Sequence, residues 1–279
     1  MKLAAIYNAW DGLELLPDSI KSIRHEVDKV IVVWQEWSNW GEKNNDIREV
    51  MYDLYQSKLV DELINVEPQP NQMSWQYAQR WEKKKRQEGI NAAKDMGCTH
   101  FIGMDCDEFY DPIEFSLFKS YVETNCSDLH TCARIRVYYK EPTLCLDKLD
   151  DTFVPFICPL PASTGVLKKS SHLIDPTRIT AAQYKQVDIL MHHLSWVRKN
   201  GIECKLRNST ARKNIYKPDI VAEFENAKEG SVLQHVYPGR KLIRTENEFV
   251  SAWFTNSHKE SEAATGNRFN GTQERKDFA

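Results

Sequence analysis

The chain has 279 residues, of which 41% are hydrophobic and 28% charged, and its 37 basic and 40 acidic side chains give a formal net charge of −3. This balance excludes a histone-like polycation, and eight Trp, eleven Tyr and eleven Phe exclude a disordered chain. Seven cysteines without a C-x-x-C pair favour reduced, buried thiols over disulfides or a zinc site.

No apolar run in the sequence approaches the roughly 18 residues of a membrane-spanning helix. The N-terminus reaches charged and turn-forming residues too early for the apolar segment of a signal peptide. We therefore expect a soluble, cytoplasmic protein without a membrane span.

The first hundred residues alternate short apolar runs with helical patterns, which is typical of a parallel sheet covered by helices. The apolar runs predict strands over residues 3–7, 30–34, 63–66 and 100–104. Apolar residues on one face predict helices over residues 16–27, 47–55 and 75–96. The last helix ends at Gly97, and its charged run 82–86 is expected to face solvent. The expected fold class is α/β, with a Rossmann-type, mostly parallel sheet flanked by helices.

The regular alternation fades beyond residue 110. Residues 131–139 alternate apolar and polar side chains and predict a strand, and residues 188–192 predict another. Residues 219–228 fit a helix, and the sequence after residue 256 is polar. We expect three regions, which are residues 1–110, residues 111–255 and a polar tail over residues 256–279.

Polar residues follow the predicted strands at the edge where an open parallel sheet binds its ligands. Asn8 follows the first strand, Glu36 the second, and Asp105-Cys106-Asp107 the fourth. Neither a G-x-G-x-x-G nor a G-x-x-x-x-G-K-[ST] motif is present, which excludes the dinucleotide fingerprint and the P-loop. Two carboxylates two residues apart at a strand end suit a hard cation such as Mg²⁺ or Mn²⁺.

Residues 97–109, GCTHFIGMDCDEF, resemble the strand and D-x-D core of the GT-A nucleotide-sugar glycosyltransferases, in particular those of family two. Residues 5–23, 30–42 and 86–94 resemble the opening strand and helix, the second strand with its loop, and the helix ahead of the motif. The resemblance implies a GT-A-like fold, with residues 1–110 binding the nucleotide-sugar and residues 111–255 forming the acceptor side.

The resemblance also implies roles for six positions: Tyr7, Asn8 and Glu36 around the nucleotide, Arg86 beside the diphosphate, and Asp105 and Asp107 as ligands of Mn²⁺ or Mg²⁺. A nucleoside diphosphate becomes a good leaving group once its charge is neutralised, and a divalent cation with a basic side chain supplies that neutralisation.

A second cluster, MHHLSWVRK at residues 191–199, resembles the late histidine and basic residue of several GT-A families. The histidine there completes the metal shell, and the basic residue contacts the diphosphate. Both His192 with Arg198 and His193 with Lys199 have a suitable spacing, and only one pair can take these roles. The alternative is a pair of histidines at a strand end, one packed and one exposed.

Asp188 is a candidate for the general base that an inverting transfer requires, beside Glu108 and Asp111. A retaining transfer needs no such base. The basic stretch over residues 199–217 suits a polyanionic acceptor such as DNA, or is an ordinary charged surface.

The function predicted is metal-dependent transfer of a sugar from a nucleotide-sugar, with a UDP-sugar favoured, to a hydroxyl. The acceptor is a glycan, a lipid-linked saccharide or a hydroxymethylated DNA base. One alternative is a sugar-phosphate nucleotidyltransferase, although its Gly-rich basic loop after the first strand is absent. Another is a non-catalytic nucleic-acid-binding protein that uses the basic stretch.

Overall fold

The computed structural model describes residues 1–68, 74–164, 169–199, 201–209 and 218–245. Within these ranges the chain forms two β-sheets with helices packed around them. The α/β fold class and the mostly parallel first sheet predicted from the sequence are confirmed. The predicted tail, residues 256–279, lies outside the described residues. None of the described helices has both the length and the apolarity to cross a bilayer.

The strands, in chain order, are β1 (Leu3–Ala9), β2 (Lys29–Trp34), β3 (Glu62–Asn65), β4 (His100–Asp105), β5 (Glu108–Phe109), β6 (Thr131–Tyr139), β7 (Glu141–Leu146), β8 (Phe153–Pro155), β9 (Cys158–Pro159), β10 (Lys185–Trp196) and β11 (Leu242–Arg244). The helices are α1 (Leu16–Ile23), α2 (Ile47–Gln56), α3 (Trp75–Asp95), α4 (Pro112–Asn125), α5 (Glu203–Asn208) and α6 (Pro218–Asn226), and a 3₁₀ turn (Arg24–Glu26) follows α1.

The first sheet has the strand order β3-β2-β1-β4-β9. Its strands β1 to β4 are parallel, and β9 joins β4 in the antiparallel direction. Strands β1 and β2 are nearly continuous apolar runs because both faces of this sheet are covered. Parallel strands place their carboxyl ends at one edge, so Asn8 and Asp105 lie side by side there.

The second sheet has the order β11-β7-β6-β10-β5, with β8 paired to β6. Strands β6 and β10 are parallel, and the other pairings are antiparallel. The chain leaves the first sheet at Asp105 and enters the second at Glu108, where β5 pairs with β10. The Asp105-Cys106-Asp107 triplet therefore lies at the junction of the two sheets.

The two halves of the chain interleave across the division expected at residue 110. Strand β9 comes from the second half and pairs with β4, while β5 comes from the first half and pairs with β10. One continuous apolar core contains side chains of both sheets, among them Tyr7, Met104, Ile135 and Ile189. Strands and core side chains from both sides of residue 110 therefore pair and pack with one another.

Helix α4 was not predicted from the sequence, because its apolar residues do not share one face. Phe115 and Val122 are buried, whereas Ile113 and Leu117 face solvent. Local capping starts the helix instead: the Asp111 side chain accepts hydrogen bonds from the backbone N–H groups of Ile113 and Glu114, at 2.8 and 3.0 Å.

Helix α3 packs against the first sheet through Gly89. A Cβ atom at this position would overlap Ile6 Cγ2 and lie 3.1 Å from Val33 Cγ2. The absence of a side chain lets the helix approach β1 and β2 closely at this point.

We expect Gly89→Ala to destabilise the fold by about 1–3 kcal/mol, because overpacking outweighs the higher helix propensity of Ala. Guanidinium denaturation measures the change. Gly103→Ala in β4 is the matched control, since a Cβ there meets no atom within 4 Å. Equal stabilities of the two variants would contradict the close packing of α3.

Candidate functional site

An open cleft with a volume of about 790 Å³ lies where the two sheets meet, at the carboxyl ends of the parallel strands. Its first wall carries Asn8 from β1, Gln35 after β2 and Asp105 from β4. Its second wall carries Ile135 from β6 and His193 from β10. The cleft therefore occupies the edge at which an open α/β sheet binds its ligands.

Asp105 lies between two guanidinium groups. Arg86 Nη2 donates to Asp105 Oδ1 at 2.9 Å, and Arg178 Nη2 donates to Oδ2. Burial by itself raises the pKa of this carboxylate, but the charges of Arg178 and Arg86 outweigh burial and lower the pKa to about 2. The carboxylate is therefore ionised and paired on both of its oxygens.

Asp107 is also held by cationic side chains. Arg198 Nη2 donates to Asp107 Oδ2 at 2.7 Å, and Lys205 Nζ lies 3.6 Å from the same oxygen. His193 Nε2 lies 3.5 Å from Oδ1. Burial by itself raises the pKa of Asp107, but Lys205, His193 and Arg198 outweigh it and hold the pKa well below its usual range.

Glu108 holds the Arg178 guanidinium in place through two hydrogen bonds. Arg178 donates to both oxygens of Glu108, at 3.1 and 2.6 Å, and the Asp105 backbone N–H donates to Glu108 Oε2 at 2.9 Å. Burial raises the pKa of Glu108, and Arg178 opposes that effect. With its oxygens committed in this way, Glu108 is a poor candidate for the general base.

Arg198 is fixed by backbone carbonyls as well as by Asp107. Its Nη1 donates to the carbonyls of Leu194 and Val197, at 3.1 and 3.0 Å. Gly12 has a φ of +71°, and a Cβ there would lie 3.3 Å from Arg198 Nη2. The glycine lets the turn after β1 pass close to the guanidinium.

The two histidines lie on opposite faces of β10. His193 faces the cleft beside Asp107, whereas His192 is buried and its Nδ1 lies 2.8 Å from the Tyr138 hydroxyl. Burial lowers the pKa of His192 to about 4, so its ring is neutral. Of the two residues predicted as metal ligands, only His193 stands beside the aspartates.

His193 and Arg198 both contact Asp107. The histidine and basic residue that meet at the site are therefore neither of the two pairs expected from the spacing. Residues five apart in a regular strand face opposite sides, but the register of β10 shifts between His193 and Trp196. The chain then turns, with the Val197 N–H donating to the Leu194 carbonyl at 2.9 Å. Lys199 is exposed and does not line the cleft.

Two positions assigned to the nucleotide lie elsewhere. Tyr7 is wholly buried in the core, where its hydroxyl accepts a hydrogen bond from Ser19 Oγ at 3.2 Å. Glu36 points away from the cleft toward Arg48 and Lys43. Side chains alternate along an extended chain, so Gln35 takes the cleft-facing position that was expected for Glu36.

The charged run of α3, residues 82–86, faces solvent only in part, because Lys84 is exposed as expected but two other members are buried. Lys85 and Arg86 are only 3% and 8% exposed, and both line the cleft. Their burial follows from the tight packing of α3, which turns this face of the helix toward the strand ends. The placement of Arg86 beside Asp105 agrees with the role implied for it.

Asp188, the candidate base, lies outside the cleft. It is exposed near the start of β10, close to Glu114 in α4, whose pKa is raised by burial, by Asp111 and, least of these, by Asp188. Five residues of extended strand, about 17 Å at 3.4 Å each, separate Asp188 from His193. The structure therefore does not bring Asp188 to the carboxylates.

Sequence reasoning missed Arg178, which contacts both Asp105 and Glu108 from a loop 73 and 70 positions away along the chain. No motif surrounds it, and the only local signal is the Asp175-Pro176 turn before it. Lys205 was noted only as part of the basic stretch. Arg207, from the same stretch, donates to Glu42 at 3.2 and 3.0 Å. Other members of the stretch lie outside the described residues, namely Arg212, Lys213 and Lys217.

The donor set of Asp105, Asp107 and His193 has the chemistry that suits Mn²⁺ or Mg²⁺. However, all four carboxylate oxygens lie against cationic or imidazole nitrogens. Within the described ranges no group of three or more acidic, histidine or cysteine side chains is arranged to hold a metal ion. The residues in this arrangement do not fit a metal, and the predicted ion stays a prediction.

No protein-family model matches the chain, and no curated protein matches its sequence. Among solved structures the chain is similar to S. aureus TarS 1-349, with 11% identity and a TM-score of 0.42 over 81% of this chain and 71% of that one. A structure of TarS 1-349 in complex with UDP-GlcNAc matches with 11% identity and a TM-score of 0.33, over 49% of this chain and 34% of that one.

A further similar structure is glucosyl-3-phosphoglycerate synthase from Mycobacterium tuberculosis, in complex with Mn²⁺, UDP and glucosyl-3-phosphoglycerate. Its identity is 12% and its TM-score 0.33, over 51% of this chain and 46% of that one. The chain thus spans less than half of two of these structures. At such identities and TM-scores the matches do not bear on substrate, metal or mechanism.

Removing Arg178 is expected to destabilise the fold, because Glu108 would remain buried without its cation. We expect Arg178→Gln to cost about 3–5 kcal/mol in chemical denaturation. Arg207→Gln is the matched control, since that side chain is 42% exposed beside Glu42, and exposed pairs contribute about 0–1 kcal/mol. Equal losses in the two variants would contradict a buried ion-pair cluster.

Proposed function

We propose that the cleft binds a nucleotide-sugar through its diphosphate and transfers the sugar to a hydroxyl acceptor. The observation that carries this proposal is the convergence of four cationic side chains on the Asp105–Asp107 triplet at the carboxyl ends of the parallel strands. The four come from separate segments: Arg86, Arg178, Arg198 and Lys205.

Guanidinium groups suit a diphosphate because their planar N–H donors match two phosphate oxygens at once. The Nε atoms of Arg86 and Arg198 are buried and have no hydrogen-bond partner in the described part of the chain. Both residues line the cleft. They therefore hold unused donors for a phosphate ligand.

The same cations support bond cleavage. As the sugar leaves the diphosphate, negative charge grows on the phosphate oxygens, and fixed positive charges in a partly buried cleft stabilise it. Asp105, Asp107 and Glu108 hold these cations in place before the ligand arrives. The neutralisation of the leaving group is thus assigned to the side chains of this protein, and no step is assigned to the predicted Mn²⁺ or Mg²⁺.

The acceptor hydroxyl needs a base if the transfer is inverting, and Asp150 is the residue we assign. It lines the cleft, and its Oδ1 accepts hydrogen bonds from the N–H and hydroxyl of Thr152 at 2.8 and 2.6 Å. No ion pair joins Asp150 to a cation among the described residues. Asp175 also lines the cleft, but it lies near the positive charge of Arg178.

The nucleic-acid-binding alternative receives no support from the described part of the basic stretch. Lys205 points into the cleft, and Arg207 is paired with Glu42. The nucleotidyltransferase alternative is opposed by the turn after β1, residues 10–12, which holds one glycine and no basic side chain.

Binding of nucleoside diphosphates and their sugars tests the proposal. A ligand at about 100 times its Kd should stabilise the protein by about 2.7 kcal/mol in a thermal-shift panel of UDP-, GDP-, CMP- and dTDP-sugars. Mn²⁺ alone should leave Tm unchanged, because the carboxylate oxygens are already paired. Absence of a shift with every sugar nucleotide, with or without Mn²⁺, would contradict the proposal.

Arg86→Gln should weaken the binding of a nucleoside diphosphate by about 10- to 150-fold, the equivalent of a charged hydrogen bond of about 1.5–3 kcal/mol. Isothermal titration calorimetry measures the Kd. Arg207→Gln, outside the cleft lining, is the control and should keep the wild-type Kd. Equal affinities of Arg86→Gln and the wild type would show that Arg86 does not bind the diphosphate.

Asp150→Asn should lower kcat by about 10²- to 10⁴-fold at an unchanged donor Kd, because the base no longer accepts a proton. Single-turnover donor cleavage, with water as the acceptor, measures the rate. Asp175→Asn is the matched control and should keep most of the turnover. A wild-type rate in Asp150→Asn would exclude it as the base.

A further inference from the structure

Two side-chain carbonyl oxygens in the cleft have no hydrogen-bond partner in the described part of the chain. They are Asn8 Oδ1 and Gln35 Oε1, and both atoms are buried. Gln35 is only 1% exposed, yet it lines the cleft together with Asn8. Buried polar atoms in native proteins almost always have partners. Two such oxygens on residues that line a ligand cleft indicate that a ligand supplies the missing donors.

The two oxygens lie on the same face of the first sheet. Asn8 pairs with Val33 across β1 and β2, and Gln35 comes two residues after Val33. Side chains alternate along extended chain, so Asn8 and Gln35 both point toward α3. Neighbouring strands lie about 4.8 Å apart and two residues of extended chain span about 6.6 Å, so the two Cα atoms are separated by roughly 8 Å, which lets one planar ligand reach both side chains.

A chain of hydrogen bonds fixes the orientation of the amides. Gln35 Nε2 donates to Asn39 Oδ1 at 3.2 Å, and Asn39 Nδ2 donates to Glu82 Oε2 at 3.4 Å. Asn8 Nδ2 donates to Glu82 Oε1. Because the Asn8 amide N–H₂ donates to Glu82 and the Gln35 amide N–H₂ donates to Asn39, the carbonyl oxygens of Asn8 and Gln35 remain as acceptors.

Glu82 determines this direction because two cationic side chains contact its oxygens. Arg86 Nη2 lies 3.2 Å from Glu82 Oε1, and Lys85 Nζ lies 3.5 Å from Oε2. A carboxylate accepts hydrogen bonds and cannot donate them. The amides of Asn8 and Asn39, which contact Glu82, must therefore direct their N–H₂ groups toward it and their oxygens away from it.

Resting on the proposed function, we propose that this face of the cleft binds the base of the donor and selects an amino-bearing nucleobase over uracil or thymine. Guanine offers adjacent N1–H and N2–H donors, and cytosine and adenine each offer two N–H groups on one exocyclic amine. Uracil and thymine offer one N–H between two carbonyls, so one protein oxygen would face a ligand oxygen. This choice differs from the UDP-sugar preference expected from the sequence.

An aromatic surface for the base lies on the same side of the cleft. Trp75 begins α3, lines the cleft and is 39% exposed. Flat bases stack on exposed aromatic rings without regard to their identity, so Trp75 adds affinity while the two acceptors supply the selection.

Titration calorimetry of the full chain with ADP, GDP, CDP, UDP and dTDP tests the selection. We expect at least one of the three amino-bearing diphosphates to bind tenfold or more tightly than both UDP and dTDP. A site built to hydrogen-bond an N–H group rejects analogues that lack it. UDP or dTDP as the tightest ligand, or equal affinities for all five, would overturn the selection while leaving diphosphate binding intact.

Two variants separate selection from general affinity. Gln35→Met removes one acceptor at similar size and should reduce the Kd ratio of UDP to the preferred diphosphate toward one. Glu82→Gln lets the amides reverse and should reduce the same ratio. Gln87→Met, on α3 but outside the cleft lining, is the matched control and should keep the wild-type ratio.

Folding of each variant is checked by its Tm and circular dichroism. A ratio that stays at the wild-type value in both folded cleft variants would overturn the assignment of Asn8 and Gln35 as base acceptors. Failure of all five diphosphates to bind the wild type would contradict the proposed function as well, which distinguishes the two claims.

Discussion

The structure depends on the neutralisation of three acidic side chains at the junction of its two sheets. Asp105 ends β4 and is partly buried, and Asp107 and Glu108 follow it within three residues and are buried, so an unpaired charge here is strongly unfavourable. The chain meets this constraint by bringing Arg178 and Arg198 to them from distant segments. Fold and cleft are therefore coupled, because the ion pairs that neutralise these acidic side chains at the junction of the sheets also line the ligand site.

Each sheet contributes a different part of the cleft. The first sheet and α3 present amide side chains and Arg86, which suit a base and a phosphate. The second sheet presents His193 and, through the turn after β10, Arg198. Because β5 and β9 each pair with the opposite half of the chain, the two walls are tied by backbone hydrogen bonds. Such a frame holds charged groups ready for a diphosphate with little reorganisation.

Local patterns predicted the elements that have a local cause. Continuous apolar runs gave β1, β2 and β4, and the D-x-D triplet at the end of β4 was placed at the correct edge. The sequence predicted Glu36 in the cleft, whereas the structure places Gln35 there. The direction in which the chain leaves β2 decides which of these two neighbours faces the cleft. Arg178 could not be predicted from the sequence, because the tertiary fold brings it to Asp105 and no nearby motif marks it. Helix α4 was missed because its apolar residues surround the helix.

A crystal structure with a bound nucleoside diphosphate tests the central claim most directly, which is that the cations around the Asp105–Asp107 triplet form a diphosphate site. The account predicts phosphate oxygens within hydrogen-bond distance of Arg86 and Arg198, with the base against Asn8 and Gln35. A diphosphate bound outside this cleft, or bound in it without contact to any of the four converging cations, would contradict the account.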